Sequence, residues 1–369
     1  MPYRQNKRGK FPQMLGLLLA ALILGACGAN APVSPAVVDR LNLSTLSARV
    51  DRGDYGQIAA VVVSQGGLVV FEDYFGRQTA DSPVDMRSAG KSLTALAVGI
   101  AIEDGSIAGV DAPVFPVFAD REPIANDGPV KQGILLRDLL TMRAPLDCND
   151  WRDSPGNEER MYRTRDWTRF ALDIPVADGV TGAGTGSSRF SYCTAGVFLI
   201  GQMLERGTGL RFDEFVANRI FEPIGVSGAL WSRSPSGEIQ SGGQLSMRAR
   251  DAMRIGQLVL NEGEWNGRRI VPQAWIAEML MPVSSPSAGL SYGYLWWMAE
   301  FRVGDTGSVF DAALMIGNGG NLVVVVPEVD AVIVVQARNY NMAGDFEVSR
   351  ALVEQFILPA LLDPDAGAR

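Results

Sequence analysis

The 369-residue chain contains no histidine. That absence excludes Ser-His-Asp and Cys-His catalysis and the usual histidine-bearing zinc sites, because each needs an imidazole as base or ligand. No metal or other cofactor is expected. Lysine is almost as scarce: beyond residue 26 only Lys91 and Lys131 carry an amine, and arginine supplies the remaining positive charge. Arginine holds its proton at neutral pH, so an amine base has only those two places to come from. Cysteine occurs three times, at Cys27, Cys148 and Cys193. The longest N-terminal apolar run, Met14 to Leu24, is too short for a comfortable membrane span.

What is present reads as an ordinary globular chain, 47% hydrophobic and 20% charged, long enough for one large domain or two intimately joined ones. Arg4, Lys7, Arg8 and Lys10 precede the apolar run, and the first acidic residue is Asp39. This is the charge layout of a secretory signal. The run ends in Leu24-Gly25-Ala26-Cys27, which resembles the lipobox of bacterial lipoproteins and would make Cys27 a lipidated mature N-terminus. Ordinary cleavage after Ala29-Asn30-Ala31 is the competing reading, with Pro32 an awkward following residue. Without the four basic residues of that segment, the net charge of −8 becomes −12. Nucleic acid and anionic lipid headgroups are therefore poor electrostatic partners, and the only membrane contact expected is the lipid anchor. In an exported chain the remaining pair, Cys148 and Cys193, forms a disulfide or stays as two buried thiols; both readings stay open.

After a tether to about Pro35, Ile58–Ser64 and Leu68–Tyr74 flank Gln65-Gly66-Gly67 and read as a hairpin. A second hairpin joins Asn321–Val326 to Ala331–Gln336 across Pro327-Glu328-Val329-Asp330. Between them the pattern is mostly helix and loop. Helices are expected over Ser88–Glu103, Leu135–Met142, Ala195–Arg206 closed by Gly207, Arg248–Leu260 closed by Glu262-Gly263, and about Asp345–Leu361. Strands at both ends with helices between predict an α+β fold, one antiparallel sheet built from the two terminal segments with a mainly helical insertion. The expected division is a signal at 1–26, a lipidated tether at 27–45 and a globular domain at 46–365. Its sheet part would lie at about 46–110 and 235–365, and its helical part at about 111–234.

Three segments carry candidate chemistry. Ser88-Ala89-Gly90-Lys91 puts a hydroxyl and an amine one turn apart on a helix face, at a terminus whose N–H groups favour negative charge. Apolar neighbours Leu93, Leu96 and Val98 would desolvate the amine and disfavour its charged form. Ser191-Tyr192-Cys193-Thr194 opens another helix beside a glycine-rich loop, where a tyrosine can relay protons or simply pack. Gly317-Asn318-Gly319-Gly320-Asn321 precedes a strand, either as a turn or as a place where exposed N–H groups meet a developing oxyanion.

In that order and spacing, the three segments resemble the Ser-x-x-Lys, Tyr-x-Asn and Lys-Thr-Gly motifs of the serine β-lactamase and D,D-peptidase superfamily. Leu136-Arg137-Asp138-Leu139-Leu140-Thr141-Met142, Gly243-Gln244-Leu245-Ser246 through Asp251, and Gly263-Glu264-Trp265-Asn266-Gly267 resemble segments of its class C-like branch. Within that branch the likeness is to esterases and 6-aminohexanoate-dimer hydrolases. The resemblance implies that Ser88 is acylated, that Lys91 takes its proton and that Tyr192 serves the leaving group. It also implies an oxyanion hole from the backbone N–H groups of Ser88 and Asn321, and substrate contacts at Thr194, Asn318, Gly319 and Gly320. Thr194 stands where the family has asparagine, and Asn318 where it has a cation, so β-lactam and D-alanyl-D-alanine recognition are both expected to be weak.

The reading is thus a serine hydrolase for a small ester or amide; a penicillin-binding protein proper and a noncatalytic lipoprotein are the alternatives. Neither the natural substrate nor the oligomeric state is encoded legibly. Specificity would come from segments such as Asn149–Arg165 and Ser284–Tyr294, with Tyr292, Tyr294, Trp296 and Trp297 either lining a pocket or packing the core. The export reading has a direct test: a fatty-acid analogue should label the wild-type protein and miss Cys27→Ala, and equal labelling of the two would refute lipidation.

Overall fold

The computed structural model describes residues 43–180, 189–304 and 306–362. The signal segment, Cys27, its tether and most of Gly179–Ser188 lie outside the described residues. Valine-rich segments build the centre. Strands β1 (Ile58–Gln65) and β2 (Leu68–Tyr74) form the N-terminal hairpin, turning at Gly66 and Gly67, both at positive φ. From the other end come β3 (Ser284–Ser287), β4 (Leu290–Tyr292), β5 (Trp297–Arg302), β6 (Val309–Gly317), β7 (Asn321–Val326) and β8 (Ala331–Ala337). All eight join one antiparallel sheet in the order β2-β1-β8-β7-β6-β5-β4-β3. The first hairpin closes on the last strand, with Val61 opposite Val335 and Gln65 opposite Ala331. This is the α+β architecture, with terminal segments paired, that the sequence predicts.

The main helices named here are α1 (Ser44–Asp51), α2 (Lys91–Glu103), α3 (Thr194–Thr208), α4 (Ala249–Leu260) and α5 (Asp345–Leu352). β7 and β8 are buried along their whole length because both faces of the sheet centre are covered. α4 packs across β1, β7 and β8. Its close approach depends on Gly256, where a Cβ would come within 2.5 Å of Val332 Cγ1. α2 is buried from Lys91 to Ala101, so it shows no polar face, as expected of a helix surrounded by protein. Trp275 Nε1 donates to Ala95 O at 2.9 Å and Trp296 Nε1 to Ser92 O at 3.2 Å, fixing α2 against the segment that leads into the sheet.

Several expectations are corrected. Ser88 lies on a 3₁₀ turn, Arg87–Gly90, and α2 begins at Lys91. α3 does not end at Gly207; it runs to Thr208 and closes on Gly209 at φ 72°. Gly207 serves packing, since a Cβ there would meet Ser106 O at 2.5 Å. β5 and β6 occupy a stretch that reads as helix and loop, and Ser284–Tyr294 supplies two further strands, the edge strand β3 and its neighbour β4. Tyr292, Tyr294, Trp296 and Trp297 are all buried, which decides for packing.

The second lysine is structural. Lys131 is fully buried and donates to Ala125 O at 2.8 Å and Leu172 O at 2.9 Å. Burial lowers its ammonium to about 8 from 10.5, with Asp173 and Asp127 opposing. The unfolded chain then binds more protons between those values, so the cost of the buried charge is full below about pH 8 and fades as pH rises towards about 10. Across that window the wild type should gain stability relative to Lys131→Met, measured by urea midpoints; a constant difference would contradict it.

Candidate active site

The turn carrying Ser88 is held from several sides. Met86 N donates to Leu245 O at 2.9 Å and Gln244 N to Arg87 O at 3.1 Å, extending a small sheet in which Val84–Asp85 pairs with Leu245–Met247. Arg87 N donates to Asp85 Oδ1, and Tyr340 Oη and Asn321 Nδ2 donate to Asp85 O. Arg87 itself has φ 51°, a conformation a side chain adopts rarely and only under such constraint. Gly317, at the end of β6, presses on this turn so closely that a Cβ would sit 1.9 Å from Met86 O.

Ser88 is half-buried and faces a cavity of about 200 Å³ lined also by Arg87, Glu158, Tyr162, Gly243 and Asn318, among others. Beneath it Lys91, with 1% of its surface exposed, donates to Ser88 Oγ at 3.0 Å and to Gly242 O at 2.6 Å. The same nitrogen lies 4.9 Å from the centre of the Tyr192 ring. Tyr192 is buried and stacked against Trp151 and Trp297, with ring centres 5.1 and 6.0 Å away. Desolvation raises its phenol above the usual value, against the pull of Lys91 and Ser88, so at neutral pH it keeps its proton. The structure therefore brings Ser88, Lys91 and Tyr192 together.

The other candidates are distributed differently. Asn321 is fully buried: its side chain bonds Asp85 O, Asn318 O and the N–H of Ala337, and it does not line the cavity. Asn318 does line it, exchanging bonds with Asn341, and the backbone N–H groups of Asn318 and Ser88 have no hydrogen-bond partner among the described residues. Of the two, Asn318 is the one whose residue lines the cavity, which makes its backbone N–H a candidate second donor. Gly319 and Gly320 are buried behind the turn; Gly319 N donates to the Asp345 carboxylate and Gly320 O accepts from Ser349 Oγ, so neither faces a substrate. Thr194 is also fully buried, its N–H on Asp150 Oδ2 and its Oγ1 unpaired, so the structure leaves it no substrate contact.

Some contributors carry only weak sequence signals. Gly242 N donates to Gln240 Oε1, Gln240 Nε2 to Tyr162 Oη, Tyr162 Oη to Glu158 Oε2, and Glu158 N to Asp150 Oδ1. This chain runs from the acceptor of Lys91 back to the segment carrying Tyr192. The Gly242-Gly243 pair was its one visible mark, and a glycine is required at 242, where a Cβ would meet Thr194 O at 2.8 Å. Cys148 and Cys193 are disulfide-bonded, with Cα atoms 5.4 Å apart. Among the described residues no cluster of acidic, cysteine or histidine side chains could hold a metal.

The family model described as Beta-lactamase matches residues 49–355. The chain belongs to the Beta-lactamase family. Among curated relatives of this family, 6-aminohexanoate-dimer hydrolase of Paenarthrobacter ureafaciens is 29% identical over 229 residues, 60% of this chain and 56% of that protein. Penicillin-binding protein 4* of Bacillus subtilis (strain 168) is 23% identical over 45% of this chain and 36% of its own. The chain thus spans little more than half the length of these relatives at most. Among solved structures, EstCE1, a hydrolase with promiscuous acyltransferase activity, shares the fold at TM-score 0.65 and 16% identity, over 85% of this chain and 98% of that one.

The disulfide joins the segment before Trp151 to the residue after Tyr192 and closes a loop 45 residues apart in sequence. Replacing both cysteines by serine should lower unfolding stability by about 2–5 kcal/mol, measured by urea titration against the wild type, with wild-type stability contradicting the expectation.

Proposed function

We propose that this Beta-lactamase-family protein hydrolyses small ester or amide substrates through an acyl-enzyme on Ser88. The observation that carries the reading is the 3.0 Å contact of a buried amine, Lys91, with a serine hydroxyl at the floor of an open cavity. Lys91 in its neutral form takes the Ser88 proton across that contact as Oγ attacks the carbonyl carbon. The resulting oxyanion is met by the unpaired N–H groups of Ser88 and Asn318. Collapse breaks the bond to the leaving oxygen or nitrogen, which receives a proton from Tyr192; Tyr192 is replenished from Lys91. Water then attacks the acyl-enzyme by the reverse of the same transfers, releasing the acid and returning the proton to Ser88.

Small neutral substrates fit this cleft best. The third motif offers Asn318, which donates hydrogen bonds without a charge, and charge-assisted bonds are about twice as strong. The cavity does contain one guanidinium, Arg87, which the sequence reading did not place there. It is already engaged, 3.1 Å from Asp85 and 4.5 Å from the Tyr340 ring centre, while Glu158 and Glu159 line the same cavity. An anionic β-lactam therefore meets a neutralised cation and two carboxylates. The names of the relatives, a dimer hydrolase and a promiscuous acyltransferase-hydrolase, support an amide or ester reading. The N-terminal pattern further supports an exported lipoprotein acting outside the cytoplasmic membrane.

Short-chain p-nitrophenyl esters should be turned over measurably and a chromogenic cephalosporin weakly or not at all. Ser88→Ala should abolish turnover and fluorophosphonate labelling, and Lys91→Ala should slow acylation by orders of magnitude, with both variants folded. Near-normal activity in either variant would remove the Ser-Lys mechanism. Efficient cephalosporin hydrolysis beside negligible esterase activity would overturn the substrate assignment.

A further inference from the structure

Resting on the acyl-enzyme reading above, we infer that Asp150 is a positioning residue: its carboxylate holds Tyr192 in register with Ser88, and its negative charge is needed for turnover. Asp150 does not touch Ser88. It acts through the tyrosine segment, which is tied to residues 148–150 at every step. Cys148 is bonded to Cys193; Ser191 Oγ donates to Cys148 O at 2.6 Å and accepts from Asn149 Nδ2 at 3.0 Å. Asp150 N donates to Tyr192 O at 2.9 Å, and Asp150 Oδ2 accepts from Thr194 N at 2.7 Å. Asp150 therefore grips the tyrosine from both sides, at its own carbonyl and at the first amide of α3.

The carboxylate does this as an anion. Its two oxygens accept separate backbone N–H groups, Thr194 at 2.7 Å and Glu158 at 2.9 Å, and such bonds are strong when the acceptor is charged. The first-turn position at α3 favours a negative charge further. The groups facing it are Glu158 and Tyr162 from the following short helix, Lys91 from α2, and Tyr192 itself. Burial first, then the charge of Glu158, raise the carboxyl to about 6, with Lys91 opposing. As pH falls through that value Asp150 takes up a proton, and one oxygen becomes a donor facing an N–H group. The grip on Tyr192 weakens there, and the two indoles stacked on the tyrosine move with it.

The experiment uses the full chain with Asp150→Asn and Asp150→Glu, p-nitrophenyl acetate as substrate, and near-UV circular dichroism of the Trp151–Tyr192–Trp297 stack. Asp150→Asn keeps the shape and loses the charge. It should lower kcat by up to about a hundredfold with little change in KM. It should also displace the acid limb of the pH profile by about a unit or more, and Asp150→Glu should recover part of kcat. In the wild type the aromatic dichroism should change as pH falls through about 6, and in Asp150→Asn it should not titrate. Wild-type kcat and an unchanged acid limb in Asp150→Asn would overturn the inference, as would a loss of melting temperature with no change in either. Absence of turnover in the wild type itself counts against the acyl-enzyme reading alone, because the dichroism titration, repeated in Ser88→Ala, still decides whether Asp150 holds the tyrosine. Should Asp150→Asn fail to fold, a wild-type stack that does not respond to pH near 6 would overturn the inference by itself.

Discussion

Lys91 sits with almost none of its surface in water and its nitrogen between Ser88 Oγ and Gly242 O. An amine in that position is costly to bury, and it stays only because each N–H direction finds an acceptor or a π face. Those partners come from distant parts of the chain. Gly242 is 151 residues away in sequence, and its carbonyl reaches the lysine because glycines at 242 and 243 let that segment lie against Thr194 and the Ser88 turn. The small sheet at Leu245–Met247, the close approach of Gly317 to Met86 and the αL conformation of Arg87 all occur in the backbone around this amine.

A second consequence concerns Tyr192. Its ring packs on Phe190, Tyr292 and Trp297, the last two from strands of the main sheet, while its backbone is held by residues 148–150. The tyrosine is thereby fixed where helical and sheet segments meet. The residues lining the opening have both signs, Arg87 against Glu158 and Glu159.

Much of the fold is legible in local pattern. The two hairpins follow from runs of valine around turn residues, and α2 and α3 from long apolar runs with polar punctuation. β6 was hidden because Ala312-Ala313-Leu314-Met315 consists of good helix formers, and only pairing with β5 and β7 turns the segment into a strand. The end of α3 differs for a related reason: Gly207 has the local pattern of a stop signal, whereas its lack of a side chain answers a contact with Ser106 from another segment. The candidate site divides in the same way. Ser88 and Lys91 are one turn apart and had to meet; the resemblance points to Asn321 for the second donor, and burial puts Asn318 at the cavity instead.

Residue counts alone narrow the chemistry to be considered. A chain without histidine, with two lysines beyond its N-terminal segment and one of them three residues after a serine, has few other ways to activate a nucleophile. The sequence also determined that valine-rich segments near the two ends would seek each other. Which polar groups face the cavity and which face the interior depends on contacts between remote segments. Thr194, Gly319, Gly320 and Asn321 turn inward while Asn318, Arg87 and Glu158 turn outward, and the Asp150 carboxylate takes the N–H of Thr194. The physical reason is that burial and hydrogen-bond pairing are properties of surfaces brought together from remote segments, and no local spacing encodes them.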